Sequence, residues 1–174
     1  GYRQAFEHWC AEVASWLDDF ALFVALKNEN GGRPWTEWSS DVSLRDESAL
    51  SRARERLADD INNVKFRQWT FFVQWEQLKS YANERGVRIV GDIPIFVAHD
   101  SADVWANRRL FYLDPKGMPE VVAGVPPDYF SVTGQRWGNP LYKWEVHKAE
   151  GYTWWIERVR ATLAMVDVVR VDHF

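Results

Sequence analysis

A chain of 174 residues, 47% hydrophobic and 26% charged, has the length and composition of one folded domain with a proper core, which excludes a disordered segment. Its formal net charge is -4 and its lysines and arginines are scattered, so no basic stripe exists to neutralise phosphates and nucleic acid is not an expected partner. No run of about eighteen apolar residues occurs, so no membrane helix is expected.

From Phe6 to Leu26 the apolar residues Phe6, Trp9, Cys10, Val13, Trp16, Leu17 and Phe20 recur at three- and four-residue steps, predicting one amphipathic helix that Gly31, Gly32 and Pro34 end. Cys10, the single cysteine, cannot form an internal disulfide; a buried thiol in a reducing compartment, the cytoplasm, is expected. The start at Gly1, without an initiator methionine or a signal-peptide pattern, suits an excised segment. Asp46 is a candidate N-cap for a charged helix over 47–58, and a long helix follows over 59–84 to a stop at Gly86. The second helix has a broad apolar face (Val64, Trp69, Val73, Leu78, Tyr81), which predicts burial on more than one side.

The run Val87 to Val97, VRIVGDIPIFV, is apolar on both faces apart from Arg88 and Asp92, the signature of a buried parallel strand. Asp100 is expected to cap a helix that starts there, and Phe111 to Val122 to form a hairpin around the turn Asp114-Pro115-Lys116-Gly117. Residues 123–140, AGVPPDYFSVTGQRWGNP, have no period and are rich in glycine and proline, which predicts a long, sharply turned loop of the kind that carries function. Helices over 141–150 and 152–165 and a short buried strand over 167–172, DVVRVD, complete the chain. Strand, excursion, helix and strand in that order describe a unit of a parallel architecture, whose active sites lie beyond the C-terminal strand ends. Asp172 stands at such an end.

Side chains alternate along a strand, so Val168, Arg170 and Asp172 share one face. A guanidinium in an apolar strand needs an anion and favours the ionised form of a nearby carboxylate. That pattern suits either a structural ion pair or a nucleophile, and spacing alone leaves both open. The chain has 11 tryptophans and 6 tyrosines; most of the indoles fall on helical apolar faces, whereas Tyr129, Phe130 and Trp137 lie outside any helical period, and such rings suit either stacking on sugar rings or local packing. The histidines His8, His99, His147 and His173 have no ligand spacing, so no metal is expected, and no phosphate loop or dinucleotide fingerprint implies a cofactor.

The segments GDIPIFVAHDSADVW (Gly91 to Trp105), VVAGVPPDYFSVTGQRWGNPLY (Val121 to Tyr142) and VRVDHF (Val169 to Phe174) resemble, in order, the hallmark segments of the amylomaltase family of glucanotransferases. The resemblance implies an α/β fold: part of a (β/α)8 TIM barrel, with a mainly helical inserted region over 1–85 and a barrel segment over 86–174. It implies transfer of α-1,4-glucan segments between malto-oligosaccharide donor and acceptor, with Asp172 as nucleophile and Arg170, His173 and Asp92 in contact with the substrate. Tyr129, Phe130, Gln135 and Trp137 match contacts made by the family's loop beside the donor and acceptor subsites. By the same resemblance the acid/base glutamate and the third carboxylate lie outside this chain, so the isolated chain is expected to be inactive. An α-amylase-like hydrolase and a non-catalytic maltodextrin-binding module are the alternatives.

Overall fold

A computed structural model describes residues 1–172. The helix expected over 6–26 is two helices, α1 (Tyr2–Glu12) and α2 (Ala14–Glu29), broken at Val13. The break keeps Trp9 and Trp16 edge to face at 6.3 Å, with both indoles against Phe72 at 5.4 and 6.0 Å. Cys10 is half-buried there, and burial pushes its thiol up. The short α3 (Ser40–Ser43) leads into α4 (Glu47–Arg56), where the Asp46 carboxylate accepts the Ala49 N–H at 3.0 Å as the expected N-cap. The long helix α5 (Ala58–Asn83) then crosses α2. Its burial differs from expectation: only Val64 is fully buried, and Phe66, Phe71, Leu78 and Tyr81 stay exposed although α1, α2, α4 and α8 (Thr153–Met165) all contact the helix.

The core gathers Leu22 and Leu26 of α2, Leu50 and Ala53 of α4, and the buried rings Trp35, Trp38, Trp105, Phe111 and Tyr142. A buried indole N–H needs an acceptor. Trp35 Nε1 donates to His99 O at 2.8 Å, Trp38 Nε1 to Arg33 O at 3.0 Å and Trp105 Nε1 to Val42 O at 3.2 Å. The first of these bonds ties the helical region to the segment that follows the first strand.

Strand β1 is shorter than the apolar run that predicts it, covering Val90–Pro94, and only Ile93 of it is buried. It pairs in parallel with β4 (Val168–Asp172) in the register Val90↔Val168, Asp92↔Arg170 and Pro94↔Asp172. Among the described residues each has one partner in a two-stranded sheet, and Val90 and Val171 remain exposed where a strand covered on both faces was expected. Two parallel strands with helices between them make the chain an α/β fold.

The start of α6 (Ala102–Ala106) corrects the capping residue: Ser101 Oγ accepts the Val104 N–H at 3.3 Å, while Asp100 receives the Trp35 N–H at 3.3 Å and pairs with Lys27. The turn at Asp114 to Gly117 is present, but the expected hairpin reduces to one isolated bridge, Leu113 to Pro119, while Phe111 bridges instead to Tyr142. The stretch 123–140 is more ordered than a loop. Antiparallel strands β2 (Val122–Val125) and β3 (Gln135–Pro140) flank it, leaving 126–134 as the loop proper. Gly124 permits this pairing, since a Cβ there would lie 2.4 Å from Gln135 O. Helix α7 (Trp144–Ala149) and α8 precede β4. No helix among the described residues is long and apolar enough to cross a membrane.

Candidate active site

Parallel pairing brings the C-terminal ends of β1 and β4 side by side. Asp92 and Arg170 are register partners, and Arg170 Nη2 lies 2.6 Å from Asp92 Oδ2 and 3.6 Å from Asp172 Oδ1. Strand alternation correctly places Arg170 and Asp172 on one face, but the nearer anion is Asp92, 78 residues away in sequence. Nor is the pair buried: the Arg170 and Asp92 side chains are 64% and 52% exposed. An ion pair so open to water is worth only about 0–1 kcal/mol. What the arrangement provides is placement, with one cation holding two carboxylates at one strand edge.

Asp172 lines an open cleft of about 210 Å³ with Pro94, Ile95, Phe96, Gln135, Trp137 and Asn139. Small-molecule pockets usually exceed roughly 300 Å³, so this cleft has the size for part of a ligand rather than a whole chain of sugars. Trp137 Nε1 donates to Gln135 Oε1 at 3.0 Å, and its ring meets Phe96 edge on at 6.4 Å. Gln135 and Trp137 thus stand on β3, not on the loop tip, and their alternation on one face of the strand turns both toward the cleft. Asn139, next on that face, donates to Val97 O at 2.9 Å and so ties β3 to the extension of β1.

The loop 126–134 is organised around Asp128, whose Oδ1 accepts the Phe130 and Ser131 N–H groups at 2.9 and 2.8 Å. Ser131 Oγ donates to Gly134 O at 2.7 Å, closing the neck. This internally bonded loop displays Tyr129 and Phe130, 97% and 90% exposed and edge to face at 5.7 Å. Among the candidates, Asp92, Arg170, Asp172, Gln135 and Trp137 gather at one cleft and its rim, and Tyr129 and Phe130 form a separate pair on the adjoining loop. His173 lies outside the described residues.

Sequence reasoning missed Phe96, Asn139, Tyr142 and Arg158. Phe96 and Asn139 lie within the matched segments, and their signal was proximity to Asp92 and Trp137. Tyr142 is fully buried; it donates to Ile95 O at 2.7 Å, and burial pushes its hydroxyl up to about 12, so it stays a donor. Arg158, on α8, left no motif at all. Among the described residues no group of three or more His, Cys, Asp or Glu side chains is placed to hold a metal ion.

Comparison with known proteins shows the family. The family described as 4-alpha-glucanotransferase matches residues 1–174. The chain is 52% identical over 172 residues to the 4-alpha-glucanotransferase of Thermus thermophilus, covering 99% of this chain and 34% of that protein. It is 49% identical over 173 residues to that of Synechocystis, again covering 99% of this chain and 34% of the relative, and 41% identical to the chloroplastic/amyloplastic enzyme of Solanum tuberosum, covering 93% and 28%. An amylomaltase from Streptococcus agalactiae in complex with acarbose superposes with a TM-score of 0.94 at 40% identity, over 99% of this chain and 35% of that one. The chain therefore spans about a third of the length of the relatives it matches.

Proposed function

The chain belongs to the 4-alpha-glucanotransferase family, glycoside hydrolase family 77, and we propose that it forms the part of such an enzyme that supplies the nucleophile, Asp172. The observation that carries this reading is the position of Asp172: at the C-terminal end of a parallel strand, in a cleft with Gln135 and Trp137, and beside a guanidinium shared with Asp92. In this reading β1 and β4 are neighbouring strands of a (β/α)8 barrel that further strands complete. Residues 1–85 are a helical insertion and 86–174 the barrel segment, in a cytoplasmic enzyme.

The reaction is a double displacement. The Asp172 carboxylate attacks the anomeric carbon of an α-1,4-glucan, the glycosidic C–O bond breaks, and the leaving oxygen takes a proton from a carboxylic acid outside residues 1–174. A glycosyl ester on Asp172 results. An acceptor sugar hydroxyl then attacks the same carbon, gives its proton to the carboxylate left behind, and releases Asp172, so two inversions restore the α configuration. Arg170, His173 and Asp92 contact the substrate near the bond that breaks. Gln135 and Trp137 contact the acceptor, and Tyr129 and Phe130 stack on glucose rings. Rings that cover the ester exclude water and favour a sugar acceptor over hydrolysis.

Disproportionation of maltotriose tests the reading. A full-length polypeptide containing this segment is expected to yield glucose and a ladder of longer dextrins, all lost in Asp172→Asn, whereas residues 1–174 alone give no turnover. Glucose without longer dextrins would instead make it a hydrolase. Undiminished turnover in Asp172→Asn would remove the nucleophile assignment.

A further inference from the structure

Strand β1 reaches the cleft at Pro94, the register partner of Asp172. In a parallel pair the residue that follows the register partner carries the bond, so the Ile95 N–H makes the tie to β4, donating to Asp172 O at 3.2 Å. The carbonyl of that same peptide group, Pro94 O, accepts Arg158 Nη2 at 2.6 Å. In a trans peptide the C=O and N–H point in opposite directions. The Pro94–Ile95 peptide is therefore gripped from both sides, by the arginine on one and by the backbone of Asp172 on the other.

The grip extends one residue further. Ile95 O accepts from Tyr142 Oη at 2.7 Å and from Arg158 Nη1 at 3.2 Å, and that same nitrogen lies 3.3 Å from Tyr142 Oη. A charged donor on a carbonyl polarises the peptide and strengthens the hydrogen bond its N–H makes. The guanidinium is itself held, 5.4 and 5.0 Å from the ring centroids of Trp154 and Trp155. Its forked geometry spans two successive carbonyls, which a lysine, with a single point of charge, cannot do. Any surface arginine can stiffen a helix, but this one acts on the peptide from which the Asp172 backbone hangs, and both residues of that peptide line the cleft.

We propose that Arg158, supported by Tyr142, is a positioning residue that fixes the backbone of the nucleophile through the Pro94–Ile95 peptide; the role rests on the reading of Asp172 given above. Loss of the grip lets the carboxylate drift, and a displacement of about 1 Å at a reacting group costs on the order of 10²-fold in rate.

The test uses the full-length polypeptide with maltotriose, assayed well below the melting temperature. Arg158→Met, which keeps the apolar stem over the indoles, is expected to lower kcat about 10²-fold while KM changes less than about threefold, since the groups that bind the sugar stay in place. Arg158→Lys is expected to fall between the two, and millimolar guanidinium to restore part of the activity of Arg158→Ala. A role limited to stability predicts a lower melting temperature with kcat intact and no rescue, and that result overturns the proposal. If Arg158→Met does not fold, the kcat of Arg158→Lys decides by the same criterion. An inert wild type would overturn the functional reading and this role with it, whereas an active wild type with an equally active variant overturns the role alone.

Discussion

Alanine at Gly134 is expected to damage the loop beside the cleft more than alanine at Gly138, although both glycines are left-handed, at φ +75 and +81. The strain of a Cβ in that region is common to the two, roughly 1–2 kcal/mol. Space separates them. A Cβ on Gly138 meets nothing within 4 Å, whereas one on Gly134 would lie 2.6 Å from Val125 O and 3.0 Å from the carbonyl carbon of Pro126. Those are backbone atoms in a segment stiffened by two prolines, so no side-chain rotation relieves the contact. Moving packed backbone costs typically about 1–3 kcal/mol, which brings Gly134→Ala to roughly 2–5 kcal/mol. The least costly escape is an opening of the neck between β2 and β3, with loss of the Ser131 to Gly134 bond. Amide hydrogen exchange across the β2–β3 ladder measures that opening. At tenfold per about 1.4 kcal/mol, the extra 1–3 kcal/mol corresponds to exchange roughly 5- to 150-fold faster in Gly134→Ala than in Gly138→Ala. Maltotriose turnover by the full-length polypeptide is expected to fall only in the former. Equal exchange and equal turnover in the two variants would refute the reasoning.

Tyr129→Ala and Phe130→Ala are expected to leave the melting temperature unchanged, since both rings are exposed, and, in a full-length Asp172→Asn background, to weaken maltotriose binding about 2- to 10-fold, as one lost ring contact allows; isothermal titration with unchanged affinity would count against sugar stacking. Burial pushes the His147 imidazole below its ordinary 6.5, with the backbone of Leu110 offsetting only part of the effect. Between the folded and unfolded values the unfolded chain binds more protons, so this contribution to stability is complete above pH 6.5 and lost as pH falls through the folded value. Denaturant midpoints should therefore drop from pH 7 to pH 5 in the wild type and drop less in His147→Gln. Ser101→Ala removes the cap of α6, for which about 1 kcal/mol and a fall of roughly 2–4 °C in melting temperature are expected by circular dichroism.

Features that depend on neighbours in sequence are legible in the residues themselves. The cap at Asp46, the long helix to Asn83 and the strand end at Asp172 follow from capping chemistry and periodicity, because the atoms that decide them lie within a turn or a few residues. The matched segments likewise mark the family, the cleft residues Gln135 and Trp137, and the exposed pair Tyr129 and Phe130. The break at Val13 is not legible, since the apolar spacing runs through it unchanged.

What the tertiary structure alone decides are the pairings across long stretches of chain. Alternation along β4 can put Arg170 beside Asp172, but the closer partner, Asp92, is set by the register of a parallel strand 78 residues away, which no local pattern encodes. The same holds for β2 and β3, whose Gly-rich sequence looks like a loop until the two segments close on each other, and for Arg158, a charged residue on a helix until its guanidinium meets the carbonyls of Pro94 and Ile95. Periodicity reports which side of an element is apolar; which polar group waits on the facing element is settled only when the chain packs.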